Sequence, residues 1–194
     1  MQNKEKRLDR RVVRTKKALR ESLTKLLMEK PLNSITVREI SDLANVNRGT
    51  FYIHYKDIKD MFETVKRDFF NEFNRIFDEK PEGVIQENPR IIIHEILEFI
   101  KENSDICLAF FGTYGDNEFI EAFKSNVKER CVNQWMKYFI FDANYDFEYV
   151  FEYSLSGFVG LVYHWINTGC KEDVKDVTNI AFTIAGRGIR HYEK

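Results

Sequence analysis

The chain is poor in the residues that break or cross-link a fold. Its 194 residues include only three cysteines, three prolines and nine glycines. Cys107, Cys131 and Cys170 are odd in number, widely spaced and form no Cys-x-x-Cys pair, so neither a disulfide framework nor a zinc site is expected. A reduced, cytoplasmic setting is the simplest expectation. No apolar run reaches about 18 residues, so no membrane span is expected. The charged start Met1-Gln2-Asn3-Lys4-Glu5-Lys6-Arg7 has no apolar core behind it and does not read as a secretion signal. Sustained strand alternation is missing as well. No Ser-His-Asp order, metal-ligand cluster or phosphate-binding glycine loop occurs, and Gly157-x-x-Gly160 lies inside a helical pattern. Neither an enzyme nor a cofactor or metal is expected.

What is present points to helices. With 43% hydrophobic residues and seventeen Phe, the chain can bury a real core. Helical spacing runs through most of it, so the expected fold class is all-α, with about nine helices. Net charge is only −1, but residues 1–60 carry 15 Lys+Arg against 8 Asp+Glu, whereas residues 61–194 carry 15 against 23. A basic head on an acidic body is the footprint of a head that meets a polyanion, although a solvated surface can cluster charge in the same way.

The elements follow from pattern and caps. Residues 1–12 lack an apolar face and read as a flexible basic arm, with Arg10, Arg11, Arg14, Lys16 and Lys17 either reaching phosphates or solvated. A first helix is predicted from about Arg14 to Met28, with Leu19, Leu23, Leu26 and Leu27 on one face. Thr36 and Glu39 form a capping box for the second helix, whose Ile40, Leu43 and Ala44 are expected to face inward. Asn45-Val46-Asn47 is a tight turn, Asn47 caps the third helix, and Phe51 is that helix's core anchor. Asp57 caps a fourth helix running to about Phe77. Residues 81–89 form a loop, and Asn88-Pro89 opens a fifth helix carrying Ile92, Ile93, Ile96, Leu97 and Ile100. A short helix through Phe111, one from Asp116 to Phe139, one from about Asp146 to Thr168 and one from about Asp173 to His191 complete the chain. The expected domains are a head, 1–60, and a body, 61–194, joined by the fourth helix.

The helix–turn–helix unit at Thr36–Lys56 carries the chemistry. In such a unit the second helix enters the major groove and its first residues approach the base edges. Here those are Asn47, Arg48, Gly49 and Thr50. Arg48 can donate two hydrogen bonds to guanine, Gly49 lets the backbone come close, and Thr50 suits a thymine methyl or a phosphate. Tyr52, His54, Tyr55, Lys56 and Lys59 suit phosphate contacts, as do Thr36 and Arg38 on the preceding helix. Each residue taken singly has an ordinary reading as solvated surface or packing. Together they put polar groups where a core helix would need apolar ones.

Residues about 12–62 resemble the N-terminal domain of the TetR family of bacterial transcriptional regulators. The resemblance rests on Ile35-Thr36-Val37-Arg38-Glu39-Ile40 and on Ala44-Asn45-Val46-Asn47-Arg48-Gly49-Thr50-Phe51-Tyr52-Ile53-His54-Tyr55. It implies base-reading positions at Arg48, Gly49 and Thr50, and backbone contacts at Thr36, Arg38, Tyr52 and His54. One position departs: Ile58 stands where the family usually has a Lys, with Lys56 two residues early and Lys59 one late. The body is similar only in architecture, most like that of low-GC Gram-positive bacteria.

The resemblance also implies a homodimer through the last two helices. Ser156, Gly157, Gly160, Val177, Ala181, Ile184, Ala185 and Gly188 are the interface candidates, because small residues let helices approach closely. The same residues could serve packing within one chain. Candidates for an effector pocket are His94, Phe110, Phe111, Tyr114, Trp135, Phe139, Tyr153, His164 and Trp165, an aromatic set with a few polar anchors that could equally be ordinary core. The function expected is a DNA-binding regulator, a repressor on a palindromic DNA operator, released by a small apolar or aromatic effector. The alternative is a DNA-binding protein of the same fold without a small-molecule switch, such as a nucleoid or division factor or a partner-controlled coactivator.

Overall fold

Leu19, Leu23 and Leu27 recur every four residues and are 0–2% exposed, the buried stripe of helix α1 (Gln2–Glu29). In the computed structural model, residues 2–80, 88–112, 114–115, 117–135 and 147–190 are described, with side chains at 10–80, 88, 90–112, 114–115, 117–130 and 148–184. Among these residues are nine α-helices: α1, α2 (Val37–Leu43), α3 (Arg48–His54), α4 (Ile58–Asp78), α5 (Pro89–Glu102), α6 (Ser104–Phe111), α7 (Asn117–Trp135), α8 (Phe147–Asn167) and α9 (Val174–Arg190). A single 3-10 turn, Leu32–Ser34, joins α1 to α2. No described helix is long and apolar enough to cross a membrane.

The first helix corrects the expected basic arm: α1 begins at Gln2, so residues 2–12 continue the helix. Those residues are mostly Arg, Lys, Glu, Leu and Gln, all good helix formers, with no Gly or Pro to stop propagation. Other boundaries agree with the caps. Asp57 Oδ1 accepts from the Asp60 N–H at 2.8 Å, and Asp60 Oδ2 accepts from the Lys56 N–H at 2.9 Å, which fixes the start of α4. Asp173 Oδ1 accepts from the Lys175 N–H at 3.0 Å at the start of α9. The expected loop at 81–87, the connection at 142–145 and the helix end at Phe139 lie outside the described residues.

The described chain divides into two compact units. The first comprises residues 1–69 with 105–116, and the second residues 70–104 with 117–194. In unit 1, Ile40 and Phe51 are 0% exposed and join Met61, Phe62, Val65 and the α1 leucines in the core. Phe110 of α6 meets Phe62 edge-on at 5.2 Å between ring centres, and Thr24 Oγ1 lies 3.4 Å from Asp105 Oδ2. Leu43, expected to face inward, is instead 49% exposed. It is the last residue of the two-turn helix α2 and lies at its rim.

Unit 2 is organised around Phe73 of α4. This side chain is 0% exposed and its ring lies 4.9 Å from Phe123, 5.5 Å from Phe77 and 5.9 Å from Phe99. Helix α9 packs on α5 and α8. Lys128 ties α7 to α8 through Glu148 at 2.7 Å and Glu152 at 3.3 Å. The Trp165 indole N–H donates to the Glu172 carbonyl at 3.1 Å. Cys170 is half-buried in this unit, and Cys107 is buried in unit 1. Replacing Phe73 by Ala empties the centre of this aromatic cluster. It should cost about 3–5 kcal/mol of stability, read as a lower urea midpoint with the slope unchanged.

Candidate nucleic-acid interface

The site is assembled from two short helices and the turn between them. Thr36 starts α2 through a complete capping box. Its N–H donates to Glu39 Oε2 at 3.0 Å, and its Oγ1 accepts from the Glu39 N–H at 3.3 Å. The Thr36 hydroxyl proton also goes to Glu39 Oε2, at 2.8 Å. The threonine proposed from sequence as a DNA contact therefore already spends its one donor on the cap. Lys30 pairs with the other carboxylate oxygen of Glu39 and ties α2 to the end of α1. This ammonium first, and Thr36 second, holds the Glu39 carboxyl at about 2.

The turn is set by backbone hydrogen bonds. The Ala44 N–H donates to the Ile40 carbonyl at 2.9 Å, and the Val46 N–H to the Ser41 carbonyl at 2.9 Å. Asn45 adopts a φ of 53°, the left-handed region that Asn tolerates better than most residues. Asn47 then caps α3: its Oδ1 accepts from the Gly49 N–H at 2.8 Å, and its carbonyl accepts from the Thr50 N–H at 2.8 Å. A Cβ on Gly49 would stand 3.3 Å from that Oδ1, so glycine keeps the cap unstrained.

Helix α3 buries one side chain completely, Phe51. Arg48, Gly49, Tyr52, Lys56 and Lys59 are exposed, as are Arg38 and Asn47, while Thr50 and His54 are half-buried. Arg38 is held only loosely, 3.6 Å from Asp42. His54 has its pKa lowered by burial and, secondarily, by nearby Lys16, so its neutral form is favoured. Tyr55 must be corrected. Expected on the phosphate-gripping face, it is 6% exposed, its ring lies 5.6 Å from Phe51, and burial raises its pKa. It belongs to the core that holds α3 in place. Ile58, where the family pattern has a Lys, is half-buried at the start of α4. Ile53, to which the motif gives no part, is 77% exposed between Tyr52 and His54. Its angular offset from Phe51 was the available signal. On α1, Arg10, Arg11, Arg14, Lys16 and Lys17 are all exposed.

The residues named for an effector pocket are distributed over both units. Phe110, Phe111 and Tyr114 lie in unit 1, and His94, Tyr153, His164 and Trp165 in unit 2. Phe110 and Trp165 are 1% and 2% exposed and serve the cores, whereas Tyr153 is 82% exposed on α8 and His164 is exposed as well. His94 Nδ1 lies 3.2 Å from Thr178 Oγ1. That hydroxyl gives its proton to the Val174 carbonyl at 2.7 Å, so His94 is the donor of the pair. Phe139 and the Trp135 side chain lie outside the described residues. Of the dimer candidates, Ser156, Gly157, Gly160 and Ile184 are exposed, while Val177 and Ala181 are 2% and 7% exposed and are used inside the protomer. The side chains of Ala185 and Gly188 lie outside the described residues.

A capped two-helix unit whose second helix presents cationic and aromatic side chains outward defines a helix-turn-helix DNA-binding protein. Residues 19–65 match the family model "Bacterial regulatory proteins, tetR family", and residues 87–186 match "Transcriptional regulator C-terminal region". The chain belongs to the TetR family of bacterial transcriptional regulators. It is 41% identical over 63 residues to the uncharacterized HTH-type transcriptional regulator YxbF of Bacillus subtilis (strain 168), a match covering 32% of this chain and 17% of that protein. A TetR transcriptional regulator from Streptococcus agalactiae 2603V has the same fold, with a TM-score of 0.61 at 24% identity, covering 91% of this chain and 96% of that one. FadR from Bacillus subtilis, solved in complex with stearoyl-CoA, gives a TM-score of 0.62 at 14% identity, covering 88% and 97%.

The Glu39 clamp has a defined pH signature. The carboxyl titrates near 4.5 in its ordinary state and at about 2 in the fold. The stability it contributes is therefore full above pH 4.5 and lost as pH falls through about 2. Glu39→Gln should lower the melting temperature at neutral pH, and its deficit against the parent should shrink as pH is lowered through that window. Thermal melts followed by circular dichroism test this.

Proposed function

We propose that the protein is a dimeric repressor that binds a palindromic operator and is released by a small apolar or aromatic effector. The observation that supports this best is the outward face of α3. Its one fully buried residue is Phe51, while Arg48, Gly49 and Tyr52 are free to meet DNA. In this reading Arg48, Gly49 and Thr50 contact bases. Tyr52, His54, Lys56, Lys59 and Arg38 grip phosphates, and Asn47 fixes the start of the helix. The head is residues 1–60 and the body residues 61–194.

Dimerisation is supported by two glycines that the protomer does not need. A Cβ at Gly157 or Gly160 would meet nothing within 4 Å. Gly costs about 1 kcal/mol in a helix interior relative to Ala, so both carry a penalty that packing within the protomer does not explain. Beside them on α8, Tyr149 and Tyr153 are 77% and 82% exposed, and Ile184 on α9 is 65% exposed. Close approach of a second copy's helices would use the glycines and cover these side chains. Gly160→Leu should leave the helical content intact and shift the protein to monomer in sedimentation velocity. A variant that stays dimeric overturns the interface.

The effector side of the proposal rests on the body type and on FadR, which shares the fold and was solved with an acyl-CoA. A ligand can act only through different affinities for the DNA-binding and released states, and α4, whose residues belong to both units, is the element through which we infer it acts. A ligand that binds the body and leaves operator affinity unchanged would contradict this. DNA binding itself is tested with duplexes selected from a random-sequence pool. Arg48→Ala should cost about 1–3 kcal/mol, with specificity relaxed at one base pair per half-site. Equal weakening on all sequences would make Arg48 a phosphate clamp instead. Removing the gene should raise expression next to the selected site, and lowered expression would make the protein an activator.

A further inference from the structure

We propose that Ile53 reads a thymine methyl group in the major groove. This rests on the assignment of α3 as the groove-entering helix. Among the described side chains of unit 1, Ile53 is the most exposed large hydrophobic, at 77%. At 3.6 residues per turn, two positions rotate a side chain by about 200°, so Ile53 points directly away from Phe51, which is 0% exposed. Gly49, also exposed, lies on the same line one turn earlier. The outermost line of the reading helix is therefore a bare backbone followed by an isoleucine. The Tyr52 ring lies to one side of that line, and Thr50 and His54 to the other.

Isoleucine has no donor for a phosphate oxygen, so the role assigned to its polar neighbours is closed to it. Helix stability gives no reason for it either, because a β-branched side chain loses χ1 freedom in a helix. In the major groove, the apolar group that distinguishes one base pair from another is the C5 methyl of thymine. A branched, rotationally stiff side chain meets it with little further loss of entropy. Ile53 is thus assigned to a thymine in each half-site.

The test uses the intact protein and the best duplex selected from a random-sequence pool. Each thymine is replaced singly by deoxyuridine, which removes only the methyl group. For the parent, one thymine per half-site should lose about fourfold in affinity on replacement, the equivalent of one buried methyl group. Ile53→Ala, which changes both protomers and so both half-sites, should lose about the square of that factor, roughly 16-fold, on the unmodified duplex and be indifferent to that replacement, while Ile53→Val should retain the dependence. The proposal is overturned if the parent is insensitive to every replacement, or if parent and Ile53→Ala lose the same factor at each thymine. Arg48→Ala serves as the control. If it binds as tightly as the parent, the assignment of α3 itself fails. If it binds weakly while the Ile53 and deoxyuridine effects simply add, only the role of Ile53 falls.

Discussion

The DNA-facing surface depends on one buried ring. Helix α3 has seven residues, too few to hold together in water by itself. Phe51 is its only fully buried side chain, and it is reinforced from outside the helix by the Tyr55 ring. The remaining support is polar and sits at the start: the Asn47 cap, and the hydrogen bonds that close the turn onto α2. Because so little of α3 is spent on the core, the rest of its surface is free for a partner. A longer helix with a full apolar stripe would be more stable and would offer fewer side chains to the groove.

The same economy recurs at α2. Its start is held by Thr36 and Glu39, and Glu39 in turn is held by Lys30 from the end of α1. The ion pair is partly exposed and is therefore a modest contributor to stability. Its effect is geometric, since it fixes where α2 begins, and the turn and α3 follow from that point. Thr36 illustrates how closely structural and binding roles crowd together here. Its motif position suggests a DNA contact, while its hydroxyl is already engaged in the cap.

Helix α4 carries the other constraint. It is one uninterrupted helix of 21 residues, with Ile58–Phe69 in the first unit and Phe70–Asp78 in the second. Met61, Phe62 and Val65 are buried with the DNA-binding helices, and Phe73 and Phe77 are buried in the aromatic core of the body. One unbroken run of helical hydrogen bonds thus contributes buried side chains to both cores.

The sequence by itself determined the local structure. Thr36 with Glu39, Asn47, Asp57 and Asp173 mark helix starts because a cap is a hydrogen bond within three residues, and the apolar spacing of Leu19, Leu23 and Leu27 marks a buried face. It misjudged the start of α1, where charge was taken for flexibility although helix propensity was high. Only the tertiary structure decided which side of α3 belongs to the core. The motif alone placed Tyr55 outside, whereas it is 6% exposed and packs in the core, and Ile53, which the motif passed over, is 77% exposed. An aromatic that hydrogen-bonds well on a surface packs equally well in a core. The choice between those fates is made by the neighbours that chain topology brings alongside, which no local pattern contains.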